Sequence, residues 1–396
     1  MNIVVFDDPV IRMDLLPFTF TRPIASIRVG ILTIKEKWEK FFAQPVSCLT
    51  QNYLQEKFPL TVAKENLLIN GAVCPDENLY KTIQQLKKGE RLIKGTLTVA
   101  ARTEDVHSFT NSSIKPNEYS ESITVMDQVW KIFRHNGDQI RSDFELLTRG
   151  RKSNPIIDPH TKTYSPENIF IEDGAVMRAA VLNAATGPIY IGRNAQIHEG
   201  ALIRGPFAIG EESIMNMGAK VRGDTTIGPY CKVGGEISNA VIFGFSNKAH
   251  DGFLGSSVIG EWCNLGADTN TSNLKNNYDS VKLWNYPKRS FQSTGLMFCG
   301  LMMGDHSKCG INTMFNTGTV TGVSSNIFGA GYPRNFIPSF AWGGGAGFTT
   351  FQLNKVYETA SKAMERRSQT LTEVDKRILK NVFEVTLPER VWEKKP

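Results

Sequence analysis

The sequence predicts an α/β layer domain over residues 1–150, followed by an all-β solenoid of six-residue repeats and C-terminal helices. Three observations predict it. Short apolar strands alternate with amphipathic helical stretches in the first 150 residues, as in α/β layer domains. Every sixth residue from Ile191 to Val233 is aliphatic or Met, a period that neither a helix nor a hairpin sheet sustains. Apolar residues return at helical spacing after residue 350.

In chain order, the β-rich run at 2–6 opens the first domain. Ile31, Ile34, Trp38 and Phe41 or Phe42 share one face, so 31–42 reads as a helix. Apolar runs at 67–69 and 96–100 read as strands. Between them, 76–88 reads as a helix stopped by Gly89. Val125, Val129, Ile132, Phe133, Ile140, Phe144 and Leu147 predict a helical pair broken near Asn136-Gly137. The polar stretch 149–155 ends in Pro155, so 151–164 reads as a linker.

The repeat over 165–328 follows. Its inward series is Ile191, Ile197, Ile203, Ile209, Met215, Val221, Ile227 and Val233. Two residues earlier stand Ala195, Ala201, Phe207, Ser213, Ala219, Thr225 and Cys231, all small but Phe207. Three hexads make one triangular coil, and coils stack about 4.8 Å apart. Gly192, Gly210 and Gly228 recur every eighteen residues and read as turn glycines with positive φ. The polar segment 268–288 reads as an insertion loop protruding from the coils, where sites are built. The aromatic and glycine-rich stretch 329–347 reads as a cap, and 329–396 as cap plus helices. Leu353, Val356, Tyr357, Ala360 and Met364 mark one helix. Thr370 to Glu373 reads as a capping box opening a second.

Composition narrows the function. The net charge of +6 comes from scattered residues without a basic run, which argues against nucleic acid as partner. No apolar stretch is long enough for a membrane span. Residues 1–9 lack a basic n-region and a cleavage site, so no signal peptide is expected. Six separated cysteines without C-x-x-C read as reduced thiols of a cytoplasmic protein.

The segment Lys248-Ala249-His250-Asp251-Gly252-Phe253-Leu254-Gly255 is the sharpest motif. It continues through Ile259-Gly260, Asn264-Leu265-Gly266-Ala267 and Asn277-Tyr278-Asp279. This order resembles H-x-x-Y-L-G, I-G-x-x-x-N-I-G-A-G-T and N-Y-D-G of the bifunctional N-acetylglucosamine-1-phosphate uridyltransferase / glucosamine-1-phosphate acetyltransferase (GlmU-like) family. The resemblance implies a left-handed parallel β-helix, a homotrimer, and acetyl transfer from acetyl-CoA to the amine of an amino-sugar phosphate or nucleotide sugar. It implies His250 as base and Asn264, Asn277, Tyr278 and Lys282 as substrate-binding residues. Ala267 and Gly300 would lie along the coenzyme. Ala219-Lys220-Val221-Arg222-Gly223 resembles A-R-L-R-P-G, which implies that Arg222 holds the sugar phosphate.

The chain also departs from the family. Glu236-Ile237-Ser238-Asn239-Ala240 stands where the family has E-M-K-K-A, and Phe253 replaces its tyrosine. In the first half, Asp7-Asp8-Pro9 replaces the glycine-rich L-A-G-G-x-G-T-R. Leu16-Pro17-Phe18-Thr19 through Arg22-Pro23 echoes the L-P-x-T-x-x-(R/K)-P stretch of sugar nucleotidyltransferases. Arg12 and Arg22 are the nucleotide-binding candidates. Ala72 stands at the place of the metal aspartate, so Mg²⁺ enters only if nucleotidyl transfer survives, and no metal site is expected. Two other readings stay open: a nucleotidyltransferase with the solenoid as trimer scaffold, or a non-catalytic regulatory scaffold. A histidine-metal solenoid enzyme built on His198, His250 and His306 is disfavoured by spacings of 52 and 56 residues.

Overall fold

The computed structural model describes residues 1–109 and 114–393. By its contacts the chain forms two units. One comprises 1–15, 21–27 and 32–128; the other comprises 16–20, 28–31 and 129–396.

The first unit is an α/β layer. Its sheet runs in the order Ser47–Leu49, Asn2–Phe6, Asn66–Asn70, Leu97–Thr103, Glu90–Lys94, Lys115–Glu118. The first three strands are parallel, and Leu97–Thr103 runs antiparallel to both its neighbours. The helix Ile34–Phe42 begins at Thr33, which forms a capping box with Glu36. It buries Ile34 and Trp38, and the Trp38 indole donates to the Val73 carbonyl at 2.9 Å. Asp76 caps the helix Glu77–Gln84.

The second unit is a parallel β-solenoid with three faces. Ile189–Ile191, Phe207–Ile209 and Thr225–Ile227 stack on the first face. Gln196–Ile197, Ile214–Met215 and Lys232–Val233 stack on the second. Leu202–Arg204, Lys220–Val221 and the start of Glu236–Gly244 form the third. All eight residues of the inward series are buried, at most 4% exposed. Each such aliphatic contributes about 1.5–3 kcal/mol by leaving water. The strands Glu236–Gly244 and Phe253–Glu261 turn from the third face to the first at Asn239 and Ser256, both at positive φ.

The helices Val129–Arg134 and Asn136–Thr148 pack in this unit. Asn136 anchors them: its Oδ1 accepts from the Gly30 amide and the Thr226 hydroxyl, and its amide donates to the Asp224 carbonyl.

Three details differ from the sequence reading. First, the repeat glycines are not turn residues. Positive φ falls two positions later, at Asn194, Glu212 and Tyr230. A Cβ on Gly192 would stand 2.8 Å from the Glu211 amide, and one on Gly228 would overlap the Phe243 carbonyl. These glycines allow coils to approach.

Second, the insertion starts later than 268. Asn270–Thr271 is a solenoid strand paired with Met314–Phe315. The excursion then carries a hairpin, Lys282–Asn285 with Ser290–Ser293. It does not stand free: Val281 and Leu283 are buried, and Trp284 stacks on Phe336 at 4.2 Å. The polar run misled because Thr269 and Thr271 lie inside with their hydroxyls bonded to the Gly266 and Phe253 carbonyls.

Third, coils continue into the stretch read as a cap, through Phe336–Ile337 and Ala341–Gly344. The helices Leu353–Glu365 and Glu373–Val385 follow, the latter capped by Thr372 with Asp375 rather than from Thr370. Among the described residues no helix is long and apolar enough to cross a membrane. All six cysteines are buried free thiols.

Candidate active site

His250 lies at the corner between the second-face strand Asn247–Lys248 and the third-face strand that starts at Phe253. Its residue is exposed, and no hydrogen bond from its ring to a described residue is found. The corner beneath it is fixed by an unusual core residue. Lys248 continues the inward column of Ile197, Met215 and Val233 and is 2% exposed. Its ammonium donates to the carbonyls of His250 at 2.5 Å and Asp251 at 3.2 Å. Burial pulls its pKa down from the ordinary 10.5 to about 8, with Asp251 acting the other way.

The depressed pKa of Lys248 has a testable sign. Between about 8 and 10.5 the unfolded chain binds more protons than the folded one at this group. Stability from this group therefore rises with pH across that window and is lost as pH falls through about 8. Urea unfolding of wild type and Lys248→Met should show wild type gaining on the variant from about pH 8 to about pH 10.5. Parallel stability profiles would contradict the buried ammonium.

Arg222 lies on the third face, where Val221 stacks on Ile237 and Leu254. It lines a pocket of about 400 Å³ with Arg134, Ser238, Phe253, Asn273 and Phe298. Its Nε lies 2.9 Å from Glu236 Oε1, with 70% of the Arg222 side chain exposed. Such an ion pair is weak in water, so an anionic ligand can take the guanidinium from Glu236. Arg134, Ser238 and Asn273 line the Arg222 pocket and were not singled out from the sequence. Coil stacking is the signal for Ser238, but this coil is shorter than eighteen residues, so fixed-period counting passes it by.

The other substrate candidates lie elsewhere. Asn264 is exposed on the second face. There it lines a different pocket of about 450 Å³ with Lys232, Lys308, Lys362, Arg366 and Arg367. Asn277 bonds Asp279 at 2.6 Å in an exposed turn, Tyr278 is 64% exposed, and Lys282 starts the hairpin. None of these three lines the Arg222 pocket. Ala267 is half-buried beside Asp268, whose amide donates to the Asp251 carbonyl, while Gly300 is buried against the Gly255 carbonyl of its own solenoid. His198 bonds Gln196 on the second face, and His306 stacks on Trp262 at 6.3 Å. Among the described residues no three metal-ligating side chains converge.

In the first unit Arg12 and Arg22 are each 5% exposed. Arg12 donates to the Tyr53 hydroxyl at 2.7 Å. Asp7 accepts from Thr50 and the Ile24 amide, and burial raises its pKa. Asp8 caps the helix Pro9–Asp14, its Oδ1 accepting from the Val10 and Ile11 amides. Those are the amides a phosphate-cradling loop needs. Ala72 is fully buried and offers no metal donor. These residues do not fit a catalytic Mg²⁺.

Residues 3–152 match the family described as sugar nucleotidyl transferase. The bifunctional protein GlmU of Methanocaldococcus jannaschii is 33% identical over 87 residues, 22% of this chain and 21% of the relative. Over that stretch the chain resembles GlmU. The bifunctional protein GlmU of Methanococcus maripaludis is also 33% identical, over 97 residues, 24% of this chain and 22% of the relative. The chain thus spans about a fifth of the length of the curated relatives it matches. The similarities are thus to a sugar nucleotidyl transferase family over the first domain and to short stretches of two GlmU proteins.

Proposed function

We propose that the chain transfers acetyl from acetyl-CoA to the amine of an amino-sugar phosphate or nucleotide sugar. The observation that carries this reading is His250: an exposed imidazole on a corner pinned by Lys248, three residues before Phe253 of the Arg222 pocket. A free amine must lose its proton to attack a thioester, and neutral imidazole is the base suited to that near pH 7. Arg222 then holds the acceptor's phosphate and sets the amine near the thioester. Arg222 and Asn264 line different pockets; in this proposal a homotrimer brings them together from two copies. The buried free thiols fit a cytoplasmic setting.

Arg222→Ala tests the acceptor assignment. It should raise KM for a phosphorylated amino sugar about tenfold or more with kcat little changed, the mark of lost ground-state binding. An unchanged KM would remove Arg222 from the site.

The first domain, in this proposal, binds rather than turns over a sugar nucleotide. The loop amides are held by Asp8, and Ala72 cannot carry a metal. Pyrophosphate release from UTP, Mg²⁺ and N-acetylglucosamine-1-phosphate should stay far below about 1 s⁻¹, the low end of ordinary enzyme turnover. Release at that rate or faster would overturn this part.

A further inference from the structure

The Arg222 pocket holds a second cation that comes from outside the repeat. The helix Val129–Arg134 buries Val129, Ile132 and Phe133 and packs on the strands Glu236–Gly244 and Phe253–Glu261. Its apolar side chains fix it to the coils, and its last residue, Arg134, lines the pocket that Arg222 also lines. Arg134 is exposed, and no hydrogen bond or ion pair to its side chain is found among the described residues.

The charge of this pocket is unbalanced. Its lining has two guanidiniums and no carboxylate. Glu236 pairs with Arg222 but does not line the pocket. Asp224 lies outside the lining as well; burial raises its pKa, with Arg141 and Arg134 acting the other way. The coil contributes the neutral side chains Ser238 and Asn239, and the insertion contributes Asn273. Two guanidiniums that face one small volume repel each other, and an anion between them removes that cost.

We propose that Arg134 determines the charge specificity of this pocket: with Arg222 it selects an anion carrying two negative charges over one carrying a single charge. One guanidinium fork suffices for a singly charged oxyanion. A phosphomonoester carries close to two charges at pH 7, with its second pKa at about 6, and has oxygens for both forks. Ser238 and Asn273 carry donors for an oxygen left between them. This role rests on the reading of the pocket as the acceptor's anion site, but it is measured by binding, without acetyl transfer.

The test titrates the full chain with glucosamine-1-phosphate and with glucosamine by calorimetry, at about pH 7.5 and about pH 5, on either side of the phosphate's second pKa. Wild type should bind the phosphate about tenfold more weakly at the lower pH, following the loss of the dianion. At the higher pH, Arg134→Ala should bind it about tenfold or more weakly than wild type. The variant should also lose most of the pH dependence, because a single guanidinium separates the two charge states poorly. Arg134→Ala/Ser238→Lys, which puts a cation back on the coil, should recover both. Glucosamine should not distinguish Arg134→Ala from wild type. An Arg134→Ala protein with wild-type affinity for the phosphate would overturn the proposal. Weaker affinity with the wild-type pH dependence would overturn it equally, since Arg134 would then only shape the pocket. No saturable binding of the phosphate to wild type up to about 1 mM would overturn it as well. The two readings fail separately. Wild type that binds the phosphate through Arg134 yet transfers no acetyl sinks the proposed reaction alone, and acetyl transfer with KM unchanged in Arg134→Ala sinks this role alone.

Discussion

His250→Ala is expected to lower kcat for acetyl transfer by about 10²–10⁴-fold, the usual contribution of a positioned base. The fold should be retained, because the His250 side chain is exposed and Lys248 bonds its backbone carbonyl, which the variant keeps. KM for the acceptor should move little, since phosphate binding is assigned to Arg222. The loss should shrink at high pH, where the acceptor amine is already deprotonated in solution. Steady-state thiol release measures the kcat, KM and pH effects, and circular dichroism checks the fold. Near-normal turnover in the variant, with the same acceptor, would make His250 a corner residue and nothing more.

Gly228→Ala should be the most damaging single-methyl change in the solenoid. A Cβ at Gly228 overlaps the Phe243 carbonyl oxygen of the next coil. That oxygen cannot swing aside as a flexible side chain would, because the strand Glu236–Gly244 is hydrogen-bonded on both sides. Relief requires the coils to separate, which weakens the ladder above and below. The expected cost is about 3 kcal/mol or more, at the upper end for overpacking. Gly218→Ala is the comparison: its Cβ meets nothing within 4 Å, and the cost should come only from its φ of +69°. Urea denaturation of both variants measures the difference. Equal losses would show that the contact at Gly228 costs no more than the positive φ at Gly218.

The solenoid was legible because its constraint repeats. Each inward position of the regular coils sees the same apolar interior, so Ile191 through Val233 write the period into the chain. The role of Gly228 was not legible, because close approach to the next coil and positive φ both select glycine. Only the structure separates them, placing positive φ on Tyr230 instead. Thr269 and Thr271 read as loop because hydropathy does not register that an inward hydroxyl has found a carbonyl. Lys248 escaped for the same reason: an inward lysine breaks the apolar pattern, and only two corner carbonyls within reach make it tolerable. At the candidate site, His250 and Arg222 stood out through motif order. Arg134 and Asn273 did not, because a helix outside the repeat and an insertion supply them.

The central claim is acetyl transfer by the solenoid. The most direct measurement follows labelled acetyl from acetyl-CoA into an acid-stable amide, using a panel of amino-sugar phosphates, their unphosphorylated amino sugars and amino-sugar nucleotides. The account predicts label in at least one phosphate-bearing acceptor, little in the unphosphorylated sugars, and its disappearance in His250→Ala. Wild-type protein that transfers no acetyl to any member of the panel would contradict it.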